Sequence, residues 1–342
     1  MRSRFAFRLA LAVLVGIHLL VFLAPFFTPY DPTEQDREFP YAPPTRVHFV
    51  DREGHFHIRP FVYGIHGEQN QFAEYAENPA ERYPLRFFAR GAPYRLAGIL
   101  NSDLHLISVG SPGRIYLLGT DGFGRDLFSR LLHGGRISLL AGLFAALLAS
   151  LAGLAAGALA GYFGGWADAV LMRLAELFLA LPWLYLLFAV RAFLPLHVSA
   201  LGTFFLIIAV VGLVGWARPA RLIRGVVLSA RERNYLLAAR GFGATDLYLL
   251  RHHVLPNAYG VFLTQLTVLI PQYVLAEVVF SFLGLGVSEP TPSWGNMLGT
   301  LQQYHVLASY WWMLSPAVIL IPVVWGYYVL ADALQGQVKS SL

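Results

Sequence analysis

The 342-residue chain contains no cysteine and a single lysine, Lys339, and only 13% of its residues are charged. The absence of cysteine excludes disulfides, thiolate catalysis and cysteine-ligated metal sites. A phosphate-binding loop of the Gly-x-x-x-x-Gly-Lys-Ser/Thr type is also excluded, because Lys339 follows Val338 and not a glycine. We therefore expect neither an ATPase site of its own, nor a resident metal or other cofactor, and we do not expect an enzyme.

Apolar side chains dominate the rest of the chain. Hydrophobic residues make up 56% of it and the mean hydropathy is +0.55, whereas a soluble domain carries about 25% charged residues. A membrane-spanning helix needs roughly 20 mostly apolar residues. Six segments approach that length: Leu9–Phe27, Ile137–Phe163, Leu174–Val190, Leu201–Ala217, Ala258–Leu283 and Trp311–Leu330. The pattern predicts an all-α polytopic membrane protein with six transmembrane helices.

Arginine placement indicates an orientation in the membrane. Arg2, Arg4 and Arg8 precede the first apolar segment, which lacks a small-x-small cleavage site and is expected to remain as a helix. Segment 217–257 carries seven arginines, whereas the loop before the last apolar segment holds Glu289 and no arginine or lysine. Short basic loops stay in the cytoplasm, so both termini are predicted to be cytoplasmic.

The composition divides the chain into three regions. They are a cytoplasmic tail with the first transmembrane helix (1–27), a polar, proline-containing insert (28–117) and a five-helix core (118–342) with a cytoplasmic loop (217–257). Within the insert, Val47–Val50 and His55–Tyr63 flank a turn that ends in Gly54, which is typical of a β-hairpin. We expect the insert to be an extracytoplasmic α+β domain.

Small residues recur at intervals of four along the second apolar segment. One face of that helix would hold Ala145, Ala149, Gly153, Gly157 and Gly161. Such a face allows another backbone to approach closely. Two interpretations remain open, namely packing within the chain and contact with a second subunit or a moving helix.

Ionisable side chains inside apolar segments are costly and are candidates for function. Glu176 lies one helical turn after Arg173 and can pair with it, whereas Glu277 is predicted to face a wet cavity or another helix.

In the insert, His55 and His57 would share one strand face, but no carboxylate spacing supports a metal site there.

The cytoplasmic loop is predicted to hold two short helices. The first covers Asn234–Gly243 and the second begins at Ala244 and ends before Pro256, which does not normally continue a helix. This arrangement suits either an amphipathic helix on the lipid surface or a protrusion that docks on a cytoplasmic partner.

The same loop carries a resemblance to a known family. The pattern Ala238-Ala-Arg-x-x-Gly243 followed by Leu255-Pro-Asn257 resembles the cytoplasmic signature of permeases in ATP-binding-cassette importers. The resemblance implies a coupling helix that sits in a groove of the ATPase. Its residues would be Ala238, Ala239, Arg240, Gly243, Leu255, Pro256 and Asn257. The family often has glutamate where this chain has Leu237, which removes a charged contact there.

Three further stretches resemble the dipeptide/oligopeptide/nickel branch of these importers and its second, C-type permease. They are Leu118–Arg130, Gly161–Arg173 and Phe282–Met297, in that order. The resemblance implies the type I importer permease fold in a prokaryotic inner membrane. The implied partners are a homologous permease, two ATPases and an extracytoplasmic binding protein, with short peptides as the substrate.

Other functions remain as alternatives. Within the same transporter class the substrate could be nickel, glutathione or an oligosaccharide-like solute. A secondary transporter would show two related halves, and the chain has no clear internal duplication. An intramembrane serine protease would need a Gly-x-Ser-x-Gly-like context, which Ser281 and Ser315 lack.

Overall fold

The computed structural model describes residues 2–68, 74–96, 99–182, 185–186, 188–189 and 199–341. Its first part contains helices α1 (Arg2–Phe22) and α2 (Ala24–Phe27) and strands β1 (His48–Val50), β2 (Phe56–Glu68), β3 (Glu74–Leu96) and β4 (Leu100–Val109). The next helices are α3 (Leu127–Phe163), α4 (Gly165–Ala180), α5 (Ala200–Gly215), α6 (Ala217–Arg231), α7 (Asn234–Gly241) and α8 (Asp246–Leu249). A π-helical turn (Leu250–Val254) leads into α9 (Leu255–Phe282), and α10 (Trp294–Gly299), α11 (Tyr304–Ser309) and α12 (Ser315–Ser341) complete the chain, with 3₁₀ turns at Thr300–Gln302 and Trp311–Leu314.

Five helical stretches among the described residues are long and apolar enough to cross a membrane. They are Phe5–Phe22, Leu127–Phe163, Ala200–Arg231, Asp246–Phe282 and Trp311–Gly336. The remaining predicted segment, Leu174–Val190, starts inside α4, which ends at Ala180, and part of it lies outside the described residues. The described chain is therefore helical and polytopic, with five of the six predicted spans present as long helices.

One compact unit consists of residues 1–14, 139–280 and 322–342. Its best-defined core joins the carboxyl-terminal part of α3 to α6, α7 and the start of α9. The buried members are Ala158, Tyr162, Ile223, Val227, Leu236, Leu249, Val254 and Ala258. Because these side chains come from every element between α6 and α9, the loop is packed onto α3.

The helix that begins at Asp246 does not stop before Pro256, so the predicted end of the second loop helix is wrong. In the π-helical turn the N–H of Leu255 donates to the carbonyl of Leu250, and α9 then continues through Pro256. A proline lacks an N–H and crowds the carbonyl four residues before it. The wider π turn changes the hydrogen-bond register just before the proline, which lets the helix pass through.

A second compact unit consists of residues 15–138 and 281–321. It contains a four-stranded antiparallel sheet in the order β1-β2-β3-β4. As predicted, β1 and β2 form a hairpin, in which the Asp51 N–H donates to the His55 carbonyl. The described residues between 28 and 117 form strands and turns without a helix, so only the β part of the expected α+β insert is found among them.

Candidate functional site

The loop between α6 and α9 has one buried and one exposed side. Leu236 on α7 and Leu249 on α8 are buried in the core with Tyr162 of α3. On the outer side of the same elements, Phe242 is 92% exposed and Leu247 is 76% exposed. The loop is therefore an amphipathic protrusion whose inner side is fixed and whose outer side is apolar and uncovered in this subunit.

A glycine in the left-handed conformation ends α7. Gly243 has a φ of 87°. The Ala244 N–H donates to the Ala239 carbonyl and the Gly243 N–H donates to the Arg240 carbonyl, which together form a Schellman motif. The chain thus turns sharply from α7 into α8, and the two short helices are held at a fixed angle.

A polar triad connects the loop to α3. The Tyr162 hydroxyl donates to the Asp246 carboxylate at 2.6 Å. The Arg240 guanidinium donates both to the Tyr162 hydroxyl and to Asp246, each at 3.1 Å. Because the three groups come from α3, α7 and α8, they join both loop helices to the end of a membrane-spanning helix.

The Leu-Pro-Asn sequence that follows ties α7 to α9. The Asn257 side-chain amide donates to the Tyr235 hydroxyl at 3.0 Å and also to the His253 carbonyl. That carbonyl lies in the π-helical turn, where the regular helical hydrogen-bond pattern is interrupted. Asn257 therefore braces the loop at the point where it becomes a long helix.

The predicted loop residues thus separate into two groups. Arg240, Gly243 and Asn257 hold the loop together through the contacts above. Ala239 is half-buried against the core, whereas Ala238 is exposed next to Leu237. An exposed apolar surface on a braced support can bind a groove in another protein and transmit a push, and neither action needs a catalytic group.

The row of small residues on α3 packs against α6 of the same chain. Gly153 lies against Pro219, and a Cβ placed on Gly157 would lie 2.4 Å from the Ala220 carbonyl oxygen. Gly161 meets Val227 in the same way, and Ala149 is fully buried. Of the two interpretations of this row, the structure shows packing within the chain.

Comparison with known proteins assigns the chain to a family. The family described as "Binding-protein-dependent transport system inner membrane component" matches residues 153–340, which is more than half of the chain. Residues 2–44 match the family described as "N-terminal TM domain of oligopeptide transport permease C". The chain belongs to the binding-protein-dependent inner membrane permeases. It is therefore a multi-pass inner membrane transporter component and not an enzyme.

Individual relatives of the permease extend this result. The dipeptide transport system permease protein of Bacillus subtilis is 37% identical over 68% of this chain and 70% of its own length. The oligopeptide transport system permease protein of Escherichia coli is 39% identical over 64% of this chain and 70% of its own length. A solved chain of the MetNI methionine ABC transporter in inward-facing conformations is 21% identical, covers 62% of this chain and 96% of that one, and has a TM-score of 0.44.

Glu176 and Glu277, the two carboxylates predicted to lie inside the membrane, have different surroundings in the structure. Glu176 on α4 is exposed and lies 3.3 Å from the Arg173 guanidinium. Glu277 on α9 is fully buried. Of the two environments predicted for Glu277, contact with neighbouring helices agrees with this burial better than a wet cavity.

A charged network next to the start of α3 was missed by the sequence interpretation. The Arg125 guanidinium donates to Asp121 at 2.8 Å and to Glu289 at 2.6 Å. Arg130 donates to Glu289 at 2.8 Å, and both arginines are almost fully buried. The structure shows both arginines as partners of acidic groups. The signal available in the sequence was the lone Glu289 in an otherwise uncharged loop.

Asp126 lies beside this network and is buried. It accepts hydrogen bonds from the Ser129 N–H at 2.8 Å and the Ser129 hydroxyl at 2.5 Å. Burial raises the pKa of Asp126 to about 6, even though these hydrogen bonds lower it. A buried carboxyl group with a raised pKa therefore lies immediately before the start of α3.

Arg136 has a different role, at the end of the first span. Its guanidinium donates to the carbonyls of Val21 and Phe22 in the last turn of α1. A cation is favourable at a helix carboxyl terminus, where backbone carbonyls lack partners. Arg136 thus caps α1 from α3.

Two histidines of the insert, His48 and His57, lie against carboxylates. His57 lies 2.9 Å from Asp51 and His48 lies 3.2 Å from Glu77. The hydrogen bond from His57 is the main reason that the pKa of Asp51 is lowered to about 2. Asp51, Glu53 and His55 lie close together on the exposed β1–β2 turn.

Proposed function

We propose that this permease is one of the two pore-forming subunits of an ATP-driven importer of short peptides, with six membrane crossings and the type I importer fold. The observation that carries the proposal is the 35–39% identity to dipeptide and oligopeptide permeases from two bacteria. Its partners would be a homologous permease, two ATPase subunits and an extracytoplasmic binding protein. Each crossing of substrate would be coupled to ATP hydrolysis by the partner ATPases.

Reconstitution of the whole importer tests the substrate class. Proteoliposomes that contain both permeases, the ATPases and the binding protein should accumulate labelled di- and oligopeptides when ATP is supplied. Nickel, glutathione and an oligosaccharide serve as competing substrates. Uptake of one of these and not of peptides would contradict the peptide assignment while leaving the importer assignment intact.

We also propose that the loop 217–257 is the coupling element. The exposed residues Leu237, Ala238 and Phe242 would enter a groove of the ATPase. Ala239, Arg240, Gly243, Leu255, Pro256 and Asn257 would hold the loop in its conformation. The support for this division is the triad at Tyr162, the Schellman motif and the exposed apolar side described above.

A substitution at the exposed tip separates docking from folding. Phe242→Ser changes a side chain that is 92% exposed, so the fold of the subunit should be unaffected, whereas docking on an apolar groove should weaken. The expected result is loss of ATPase subunits on purification and of substrate-stimulated ATP hydrolysis. Phe56→Ser is the matched control, because Phe56 is also exposed but lies in the insert. Equal effects of the two substitutions would rule out this docking site.

The orientation is proposed from the arginine distribution, with both termini in the cytoplasm and the insert outside. Since the chain has no cysteine, single cysteines can be labelled with a membrane-impermeant maleimide. Cysteines at Ala244 and Trp166 should react only from the cytoplasmic side, and cysteines at His55 and Ser199 only from the outside. Labelling of positions 166 and 199 from the same side would contradict a crossing between them and therefore the six-span topology.

A further inference from the structure

The hairpin of β3 and β4 carries an exposed apolar surface that the transport function does not explain. We call the paired part from Leu85 to Val109 the outer hairpin. Its uncovered large side chains are Phe87, Phe88, Ile99, Leu100 and Leu104. Ile99 is 83% exposed and lies beside Leu100, which pairs with Leu96 at the end of the hairpin. Large apolar side chains that stay uncovered at the end of a hairpin are candidates for contact with lipid or another protein.

The outer hairpin lies against the outer end of the first membrane span. Helix α2, which follows α1 after one residue, packs on β3 and β4. The Phe88 ring lies 6.2 Å from the Phe26 ring. A ring nitrogen of the buried His105 lies 2.7 Å from the Thr28 carbonyl oxygen. The hairpin is therefore held beside the last residues of α1, a candidate membrane span whose exposed side chains include Leu19 and Phe22.

Phe88 also has an energetically unfavourable backbone conformation. Its φ is 52°, in the left-handed region that residues other than glycine rarely adopt. Its side chain is 61% exposed in this subunit even though one side meets Phe26. Water around the exposed side of the Phe88 ring does little to offset the cost of this backbone conformation. Contact of that side with an apolar environment would stabilise it.

The charges of the outer hairpin fit the surface of a bilayer. Arg86, Arg90 and Arg95 are exposed on it, and Asp103 is its only acidic residue. Basic side chains that accompany exposed Phe, Leu and Ile are typical of segments that lie in the headgroup region. The polar end of the Tyr94 side chain donates to the Leu104 carbonyl at 2.6 Å, so this aromatic residue braces the hairpin next to the apolar side chains.

The strand edge limits how deeply the hairpin can lie. β4 is the last strand of the sheet, so the N–H and C=O groups of its outer edge need water or lipid headgroups as partners. Open sheet edges do not occur in the hydrocarbon region. The backbone must therefore stay at the headgroup level, and only the side chains can reach the acyl chains.

We propose that the outer hairpin lies on the outer surface of the lipid bilayer, with Ile99 and Leu100 inserted among the lipids. The insert is then attached to the membrane at two places, the first span and the end of this hairpin. This proposal concerns the bilayer as the partner and does not depend on the substrate of the importer.

Fluorescence quenching on the full-length chain tests the proposal. Ile99→Cys and, in a separate chain, Leu100→Cys carry an environment-sensitive fluorophore in nanodiscs. Ala80→Cys is the control, because Ala80 is an exposed residue of the same strand β3, located in the half that pairs with β2 among polar side chains. Sixteen positions of extended chain between Ala80 and Leu96 correspond to roughly 50 Å.

We expect the labels at the end of the hairpin and the control label at position 80 to be quenched by different agents. Lipids with a nitroxide near the headgroup should quench the labels at 99 and 100 several-fold more strongly than the label at 80, and aqueous iodide should quench mainly the label at 80. Equal quenching by iodide at all three sites would overturn the proposal. Protection from both quenchers that arises only in the assembled importer would also overturn it, because a protein partner would then cover the hairpin.

Discussion

Gly243 is needed for its backbone conformation and not for lack of space. A Cβ at this position would meet no atom within 4 Å, but the φ of 87° lies in the left-handed region. An alanine in that region costs about 1–2 kcal/mol. We therefore expect Gly243→Ala to lower the melting temperature of the purified subunit and to weaken coupling.

The neighbouring Gly241 provides the control for this substitution. It is the last residue of α7, and a Cβ there also meets nothing within 4 Å. Because alanine is a better helix former than glycine by about 0.5–1 kcal/mol, Gly241→Ala should leave the melting temperature unchanged or raise it. The same decrease for both variants would show that the turn after α7 does not depend on a left-handed residue.

Asp126 predicts a dependence of stability on pH. The pKa of this carboxyl group is about 6 in the folded chain, compared with an ordinary value of 3.8. The folded state therefore binds the carboxyl proton more tightly than the unfolded state does. The stabilisation from this proton is complete below pH 4 and is lost as the pH rises through 6. At about 1.4 kcal/mol per pKa unit, the free energy of unfolding should fall by up to about 3 kcal/mol from this group.

Asp126→Asn should remove this part of the pH dependence. An asparagine keeps an oxygen that can accept from Ser129 and carries no charge at any pH. Melting temperatures of the nanodisc-embedded subunit between pH 4 and 8 should therefore vary less for the variant than for the parent chain. Identical pH profiles would show that Asp126 does not titrate in this range.

At the scale of the elements, the contact between α3 and α6 depends on small side chains. Gly157→Ala would place a Cβ 2.4 Å from the Ala220 carbonyl oxygen, and the helices would have to move apart. Overpacking of this kind costs about 1–3 kcal/mol. Because the contact is within one chain, we expect a lower melting temperature in the isolated subunit, without any partner present.

The facing helix offers a matched control in Gly225. It lies on α6, and a Cβ added to it meets nothing within 4 Å, so Gly225→Ala should be neutral or slightly stabilising. The Gly157→Ala subunit could instead melt normally when isolated and fail only to assemble with the second permease. That result would contradict an intramolecular role for the row of small residues on α3.

The elements were predicted from the sequence to different degrees. Long apolar runs gave the helices α3, α9 and α12, because a span must satisfy its own backbone in lipid. The break at Gly243 was predicted from the glycine. The continuous passage through Pro256 was not, because it depends on a π-helical turn for which the sequence has no clear pattern. The partners of Arg125 and Arg130 were missed for another reason, since Glu289 is distant in sequence and only the fold brings it close.

At the scale of the whole molecule, the base of the insert contacts the segments that lead into two of the long helices. The Ala42 N–H donates to the Thr120 hydroxyl at 2.7 Å, and the Tyr41 ring stacks on Tyr310 at 4.2 Å. Farther along the hairpin, Arg86 of β3 lies opposite Ser108 of β4 in the strand register. The base of the insert therefore contacts the segments that precede the spans, and we expect the end of the outer hairpin to be dispensable for assembly.

Two deletions should separate these parts of the insert. Replacing 87–107 by Asn-Gly keeps the pair Arg86–Ser108 and favours a tight turn, so the complex with the ATPases should form in normal yield. Deleting Tyr41–Gly98 removes the contacts to Thr120 and Tyr310 and should reduce the yield strongly. Size-exclusion chromatography in detergent measures both. Normal assembly after the larger deletion would show that the insert contributes nothing to the stability of the spans.

If the loop is the coupling element as proposed, the unbroken passage from α8 through the π-helical turn into α9 lets this part of the permease act as a lever. The stretch Asp246–Phe282 has 37 residues, which at about 1.5 Å per residue is roughly 55 Å long. A stiff rod of that length moves its far end by about 1 Å for each degree of tilt. If the ATPases move the docking end as proposed, the outer end of this helix responds in the same stroke, with no slack from an intervening loop. Pro271, inside α9, is then the place where such a lever can bend, because a proline there removes one backbone hydrogen bond.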